Sequence, residues 1–506
     1  MSKPNIVYIL ADDMGYGDVS CLNAESKIHT PNLDRIGNQG RRFTDAHSSS
    51  AVCTPSRYSI LTGRYNWRSS LKQGVLLGYD APLIEEGRET AATLLSRHGY
   101  HTGCVGKWHL GWNWALNDSD PEDIDFSKPI TNGPCDRAGF DTFFGIVASL
   151  DMPPFVYVED DRPTAIPDRI IAGKREGKVI WREGPIAPDF THEEVLPTFA
   201  EKACAYIRER AASETPFFFY FPLNSPHAPC LPTVEFQGKS GLNDYADFCL
   251  MTDAVVGQVL DTLDACGVAD NTIVIFTSDN GCTPVADFET LKGLGHNPSY
   301  VFRGHKADIY EGGHRIPLLV RWPDRIPPGV SDETVCLVDF LATCADLMGE
   351  ALADNAAEDS VSNLPTWCGT TPSRPLRQAT VHHSYNGSFS IRKGKWKLEF
   401  CPGSGGWSHP RPNTPETADL PPIQLYDLTA DIGERVNLQD KHPDIVSELT
   451  ELMIRYVRDG RSTPGNPQPN TGPDHWPQLA WMKTAGTTQL GRGRRSLILD
   501  SHGPHD

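Results

Sequence analysis

The sequence predicts an α/β fold, with a large doubly wound mixed sheet flanked by helices and a smaller C-terminal α+β domain containing an antiparallel sheet. Three observations carry this. Short, uninterrupted apolar runs at Ile6–Ala11, Phe217–Phe221 and Thr272–Thr277 read as strands buried on both faces of a parallel sheet. Helical stretches precede the later runs, which is the order of βαβ units. Past Pro375 the pattern becomes an alternation from Ser388 to Phe400, as in antiparallel strands. With 506 residues the chain exceeds what one core usually needs. The expected division is residues 1–375, a smaller domain over 376–460 and a tail over 461–506.

The elements follow in chain order. Ile6–Ala11 ends at Asp12-Asp13, a carboxylate pair directly after a buried strand. Pro55 suits a first helical turn and Gly63 a stop, so a short helix is expected to begin just after Cys53. Arg57 lies four residues on from Cys53, on the same helical face. A helix N-terminus, an arginine and a reactive side chain together suit a tetrahedral oxyanion such as sulfate or phosphate.

Glu89–Arg97 reads as a helix stopped by Gly99, followed by a strand from His101 into the glycine-flanked Lys107-Trp108-His109. His192–Ala212 and Asp244–Cys266 read as helices. The aromatic strand between them leads to His227, and the second helix feeds a strand ending at Asp279-Asn280. In open α/β sheets, sites form outside the carboxyl ends of strands. Lys306 then precedes an apolar strand through Val320. Leu425–Leu428 reads as a closing strand, and His442–Arg458 as an amphipathic helix.

Asp12, Asp13, Asp279 and Asn280 brought together would place three carboxylates in mutual repulsion, which a hard cation would relieve. All-oxygen ligation suits Ca²⁺ or Mg²⁺. The formal charge of −19 argues against bulk attraction to nucleic acid or an acidic membrane. No stretch approaches the roughly 18 apolar residues of a membrane span. Thirteen cysteines without a C-x-x-C pair suggest neither a disulfide framework nor a zinc site. Together with an opening that lacks the pattern of a secretory signal, they give the expectation of a cytoplasmic protein.

Cys53-Thr54-Pro55-Ser56-Arg57, continuing to Thr62-Gly63-Arg64, resembles the signature of formylglycine-dependent sulfatases, and the segment Gly103–Gly111 resembles their second signature. The resemblance implies an alkaline-phosphatase-like fold and a formylglycine (3-oxoalanine) made from Cys53 by a formylglycine-generating enzyme. It implies a metal, Ca²⁺ before Mg²⁺, held by Asp12, Asp13, Asp279 and Asn280 together with residue 53. By the same resemblance Asp13 accepts the proton of the attacking hydroxyl, while Arg57 and Lys107 stabilise the aldehyde hydrate and sulfuryl charge. Lys306 clamps the sulfate, His227 and Lys306 protonate the leaving oxygen, and His109 promotes release of sulfate. The substrate implied is an aryl sulfate or a sulfated mono- or oligosaccharide.

Two rival readings accompany this one. Phosphonate monoester or phosphodiester hydrolases share the same apparatus, and a catalytically silent protein that binds sulfated glycans would keep Cys53 as a thiol. Tyr65, Trp67, Arg68, Lys72, Trp108, Trp112, Trp114 and residues 149–154 are candidates to line a pocket for a sugar or aryl ring. Oligomeric state is not legible from the sequence.

Overall fold

A computed structural model describes residues 3–482. Its centre is a sheet whose successive members along the chain are β1 (Asn5–Ala11), β2 (His101–Lys107), β3 (Thr142–Ile146), β4 (Phe217–Pro222), β5 (Thr272–Ser278) and β6 (Leu318–Arg321). In space the order is β6-β5-β1-β4-β2-β3, with the inner five parallel and β6 antiparallel to β5. Ten strands make up the whole sheet, the outer ones being short, and its two edges are Gly329–Ser331 and Arg162–Pro163. The apolar runs are strands because every residue in β4 and β5 is buried, so neither face needed polar alternation.

Two sets of helices pack on the sheet. One comprises α1 (Pro31–Gln39), α4 (Val195–Ala211) and α5 (Asp244–Ala265). The other comprises α2 (Cys53–Thr62), α3 (Ala91–Arg97) and α6 (Phe340–Met348). Helix α3 starts two residues later than its periodicity suggested. Thr90 is its N-cap, with a side chain that accepts from Thr93 N, so Glu89 stays outside.

A separate antiparallel sheet holds β7 (Thr380–His383), β8 (Phe389–Lys393), β9 (Trp396–Glu399) and β10 (Gln424–Asp427) in that order. The amphipathic helix α7 (Pro443–Asp459) lays Leu449, Leu452, Met453 and Tyr456 on it. Tyr65 and Trp67, just beyond α2, fill the same core, so the chain that carries Cys53 is fixed at both ends by packing. Buried aromatics of this size contribute about 3–5 kcal/mol against truncation to alanine. Arg68 continues the tie. Its guanidinium pairs with both oxygens of buried Asp359 and donates to Tyr456 O in α7 (2.9 Å).

The tail follows the body as far as it is described. Thr471 N donates to Arg68 O (2.6 Å), Arg64 Nη2 donates to Pro469 O (2.6 Å), and Trp476 and Leu479 join the second core. The expected tail beyond Met482 lies outside the described residues. The short hairpins between Arg169 and Ile186 were not foreseen, because strands of three residues carry no readable period.

Candidate active site

The site forms where four neighbouring strands end. Ala11 pairs with Ser278, which puts Asp12 beside Asp279 at the carboxyl edge of β1 and β5. Leu10 pairs with Pro222 on the other side, and the chain leaving β4 runs through Ser225 to His227, with Ser225 O accepting from Asp12 N (2.9 Å). Tyr220 pairs with Cys104, so Lys107 emerges from β2 at the same edge. Gly106 permits this approach. Its φ is 136°, and a Cβ there would fall 1.9 Å from Pro222 O.

Helix α2 points its N-terminus at these strand ends. Cys53 is its first residue, buried, and Gly63 closes it in the left-handed region at φ 63°, as the sequence suggested. One turn on, Arg57 Nε and Nη2 donate to Asp279 Oδ2 at 3.0 and 2.8 Å, and Nη1 donates to Lys107 O (2.8 Å). Lys107 Nζ donates to Asp12 Oδ2 (2.6 Å), and Lys306 Nζ to Asp13 Oδ2 (2.8 Å). Asn280 Nδ2 donates to Asp13 Oδ1 (2.7 Å), while His227 Nε2 stands 3.7 Å from Asp13 Oδ2.

Thus the residues expected to act on sulfate or to ligate a metal, Cys53, Arg57, Lys107, His109, His227, Lys306, Asp12, Asp13, Asp279 and Asn280, lie together in one constellation. Three of its backbone positions are strained: Asp13 (φ 69°), His109 (φ 58°) and Ala307 (φ 79°) are non-glycine residues in the left-handed region. Such strain clusters where surrounding contacts over-determine a functional geometry.

The electrostatics follow from burial and pairing. Burial would raise the Asp12 carboxyl, but Lys107, His227 and Arg57 outweigh it and hold it well below the usual range. Burial and the adjoining Asp12 carboxylate push Asp279 up to about 6 despite Arg57. Burial would lower Lys306, yet the Asp13 carboxylate raises it overall. Burial raises the Cys53 thiol, against the pull of Lys107 and Lys306, so an unmodified Cys53 is a poor thiolate nucleophile here.

Burial, reinforced by Lys107 and Arg57, keeps His109 neutral. Its Nε2 lies 2.7 Å from Leu76 O, so that nitrogen carries the hydrogen, and Nδ1 is left with a free lone pair and no partner. Burial and Lys306 likewise lower His227. Its Nδ1 donates to Ala228 O, which leaves Nε2 as the atom that faces Asp13.

The repulsion expected among the three carboxylates persists at Asp279, which Asp12 and Asp13 both push up, but protein cations relieve part of it. Each has a cationic side chain on it, Lys107, Lys306 or Arg57. What fits a metal is a different observation: Asp12 Oδ1 and Asn280 Oδ1 are buried acceptors without any hydrogen-bond partner. Two orphaned oxygens next to the carboxylates of Asp13 and Asp279 are a hard-cation donor set.

Among the described residues a second group, His47, His314 and His382, also brings three ligand atoms together. The His314 and His382 rings stack in parallel, 3.8 Å apart at 7°, so their lone pairs lie in parallel planes and do not converge on one ion. Arg392 and Lys397 bond into the same cluster, together with Asp45 and Glu434. It is a buried polar network that joins the two sheets.

The aromatic residues suggested as pocket lining are mostly elsewhere. Trp108 and Trp112 belong to the main core, and Trp114 packs edge-on against Trp112. Tyr65 and Trp67 lie in the second core, and Lys72 covers Trp476. Ring-bearing residues near glycines read alike in sequence whether they face a ligand or a core.

The large mixed sheet flanked by helices, with a separate small antiparallel sheet, is the alkaline-phosphatase-like fold of solved sulfatases. The chain belongs to the sulfatase family: the family model described as Sulfatase matches residues 4–350. It is a sulfuric ester hydrolase, of a family that generally uses formylglycine and a divalent metal.

Among its relatives are an N-acetylgalactosamine-6-O-sulfatase of Bacteroides thetaiotaomicron, 35% identical over 89% of this chain and 92% of its own length, and human arylsulfatase A, 33% identical over 93% and 91%. A solved sulfatase structure from a study of glycosaminoglycan metabolism by Bacteroides thetaiotaomicron superposes with a TM-score of 0.77 at 34% identity, covering 90% of this chain and 99% of that one. A phosphonate monoester hydrolase of Agrobacterium radiobacter shares the fold alone, at a TM-score of 0.58 and 17% identity, over 89% of this chain and 95% of that one.

The expectation of a cytoplasmic protein is overturned by these relatives, which are secreted, lysosomal or periplasmic sulfatases. Free cysteines do not fix a compartment. All thirteen are unpaired here, and most are buried, where thiols serve as small apolar groups.

Proposed function

We propose that the chain hydrolyses sulfate monoesters of saccharides, with 6-O-sulfated N-acetylgalactosamine as the class of substrate, through a formylglycine made from Cys53. The observation that carries the reaction is the pair of orphaned oxygens, Asp12 Oδ1 and Asn280 Oδ1, set beside three cations at the N-terminus of the Cys53 helix. The saccharide class is taken from the relatives named for N-acetylgalactosamine 6-sulfate, which align along most of their length.

Asp12, Asp13, Asp279 and Asn280 would hold the divalent ion, with residue 53 beside them, and Ca²⁺ suits their all-oxygen set. When bound, the ion supplies Lewis acidity towards sulfate and the attacking hydroxyl. Formylglycine in place of Cys53 would, once hydrated, offer two geminal hydroxyls, one as nucleophile towards sulfur and one through which sulfate could be expelled without water attacking sulfur.

Asp13 accepts the proton of the attacking hydroxyl. Arg57 stays on Asp279 and fixes that carboxylate while its charge faces residue 53. Lys107 and Lys306, held on Asp12 and Asp13, present their charge to the sulfuryl oxygens, where preorganised charge in a dry site is worth most. His227 Nε2 and Lys306 are placed to protonate the leaving sugar oxygen. His109 Nδ1, neutral and unpartnered, takes the proton from the second hydroxyl as sulfate leaves.

The test compares matured enzyme on N-acetylgalactosamine 6-sulfate, an aryl sulfate and a phosphonate monoester. The reading requires the sulfates to be turned over at least about 100-fold more efficiently than the phosphonate, a gap of about 3 kcal/mol in transition-state binding. The reverse order would assign the chain to phosphonate hydrolysis.

A further inference from the structure

Two aromatic side chains that no sequence motif singled out stand close to the sulfate site. Tyr385 and Trp407 are each 38% exposed, and their rings touch with centroids 5.2 Å apart at 53°. Single exposed aromatics are ordinary on a protein surface. These two differ because their backbones are fixed to the segment that bears Lys306 and to the segment that bears Cys53.

The ties are direct. Tyr385 N donates to Ala307 O (2.9 Å), the residue after Lys306, and Ala307 N donates to Ala51 O (2.8 Å), two residues before Cys53. Ala51 N in turn donates to His383 O (2.9 Å), two residues before Tyr385. Trp407 N and Ser408 N both donate to Oδ1 of buried Asp308, at 2.9 and 3.0 Å. Gly406 lies so close on this segment that a Cβ there would fall 2.3 Å from Ala307 O. Asn386 N donates to Gly405 O (3.2 Å), which joins the two aromatic loops to each other. The loop opposite closes the ring of contacts, since Gly74 N donates to Tyr385 O (2.8 Å) while Leu76 O accepts from His109.

These backbone bonds fix the two aromatic loops directly to the segments that carry Lys306 and Cys53. Anchored aromatic faces with polar surroundings suit a pyranose ring, whose C–H faces are apolar and whose edges hydrogen-bond. We infer that Tyr385 and Trp407 form the platform on which the sugar ring carrying the sulfate stacks, so that they set specificity for saccharide over simple sulfates. The inference rests on the saccharide reading of the function given above. The platform comes from the loops of the antiparallel sheet, which gives that sheet a part in recognition besides packing.

The test uses matured enzyme with two double variants, Tyr385→Ala with Trp407→Ala and Tyr385→Phe with Trp407→Phe, on N-acetylgalactosamine 6-sulfate. Inorganic sulfate serves as an inhibitor that occupies the cation pocket without a ring. The expected result is a rise in KM of about tenfold in the alanine pair, corresponding to about 1.4 kcal/mol. The phenylalanine pair should recover to within about threefold, because stacking uses ring faces. The inhibition constant of sulfate should be unchanged in both.

An unchanged KM in the alanine pair overturns the platform. So does a loss matched by equally weakened sulfate inhibition, which would mean that the loops only support the pocket. Wild-type enzyme that turns over aryl sulfates but no sulfated sugar would instead overturn the saccharide reading, and the platform with it.

Discussion

Removing the imidazole of His227 should separate substrates by their leaving groups. Its Nδ1 is committed to Ala228 O, so only Nε2 can reach a substrate, and the side chain keeps 13% of its surface exposed at the edge of the site. Burial and the Lys306 charge lower its pKa against the pull of Asp13 and Asp12, so its protonated fraction is small but strongly acidic. A sugar alkoxide is a poor leaving group and needs that proton, whereas a nitrophenolate leaves without it. General acid catalysis contributes about 10²–10⁴-fold, or about 3–5 kcal/mol.

His227→Ala is therefore expected to lower kcat/KM by at least about 100-fold on a sugar sulfate and by less than about tenfold on 4-nitrophenyl sulfate. The assay is steady-state kinetics over aryl sulfates of graded phenol acidity plus one sugar sulfate. The loss should grow steadily as the phenol becomes less acidic. Parallel losses along the whole series would refute the acid role and leave His227 as a binding residue.

Other perturbations test other parts of the account. Chelation should lower the thermal midpoint, and Ca²⁺ at about 100 times its dissociation constant should restore about 2.7 kcal/mol; a midpoint indifferent to both would remove the ion from the Asp12–Asn280 oxygens. Arg68→Ala leaves the buried Asp359 carboxylate unpaired, and should cost about 3–5 kcal/mol in denaturant unfolding, whereas a loss under 1 kcal/mol would show that water reaches Asp359.

His383 is pushed down to about 3 by burial, with Lys72 adding to it. Because its ordinary value is near 6.5, its contribution is complete above that pH and is lost as the pH falls towards 3. The loss at pH 5 is about 2 kcal/mol. His383→Asn should therefore flatten the acid limb of stability, and an unchanged limb would mean that other groups govern it.

Much of the site was legible because its residues sit at places where sequence has a short-range grammar. Asp12, Asp13, Asp279 and Asn280 follow uninterrupted apolar runs, and strand ends in an α/β sheet are where ligands bind. Cys53 and Arg57 are related by one helical turn, which spacing alone reveals. Lys107, His109, His227 and Lys306 needed the resemblance to sulfatases, since a lone lysine or histidine after a strand has no local signature.

What stayed hidden depends on contacts far apart in the chain. His47, His314 and His382 meet across more than 300 residues, and nothing near any one of them foretells the other two. Trp67 and Trp108 looked like ring-binding residues but are buried in different cores. Tyr385 and Trp407 lie in irregular loops beyond the expected boundary at residue 375, and only their hydrogen bonds to Ala307 and Asp308 bring them to the site.

The central claim is that residue 53 is the nucleophile only once its thiol has become an aldehyde. The most direct measurement is mass spectrometry of the peptide containing residue 53, from protein made alongside a formylglycine-generating enzyme. The account predicts a mass in which CH2SH is replaced by CHO, with turnover rising in proportion to the converted fraction. An unmodified thiol in a sample that cleaves sulfate esters, when a control substrate in the same cells is converted, would contradict it.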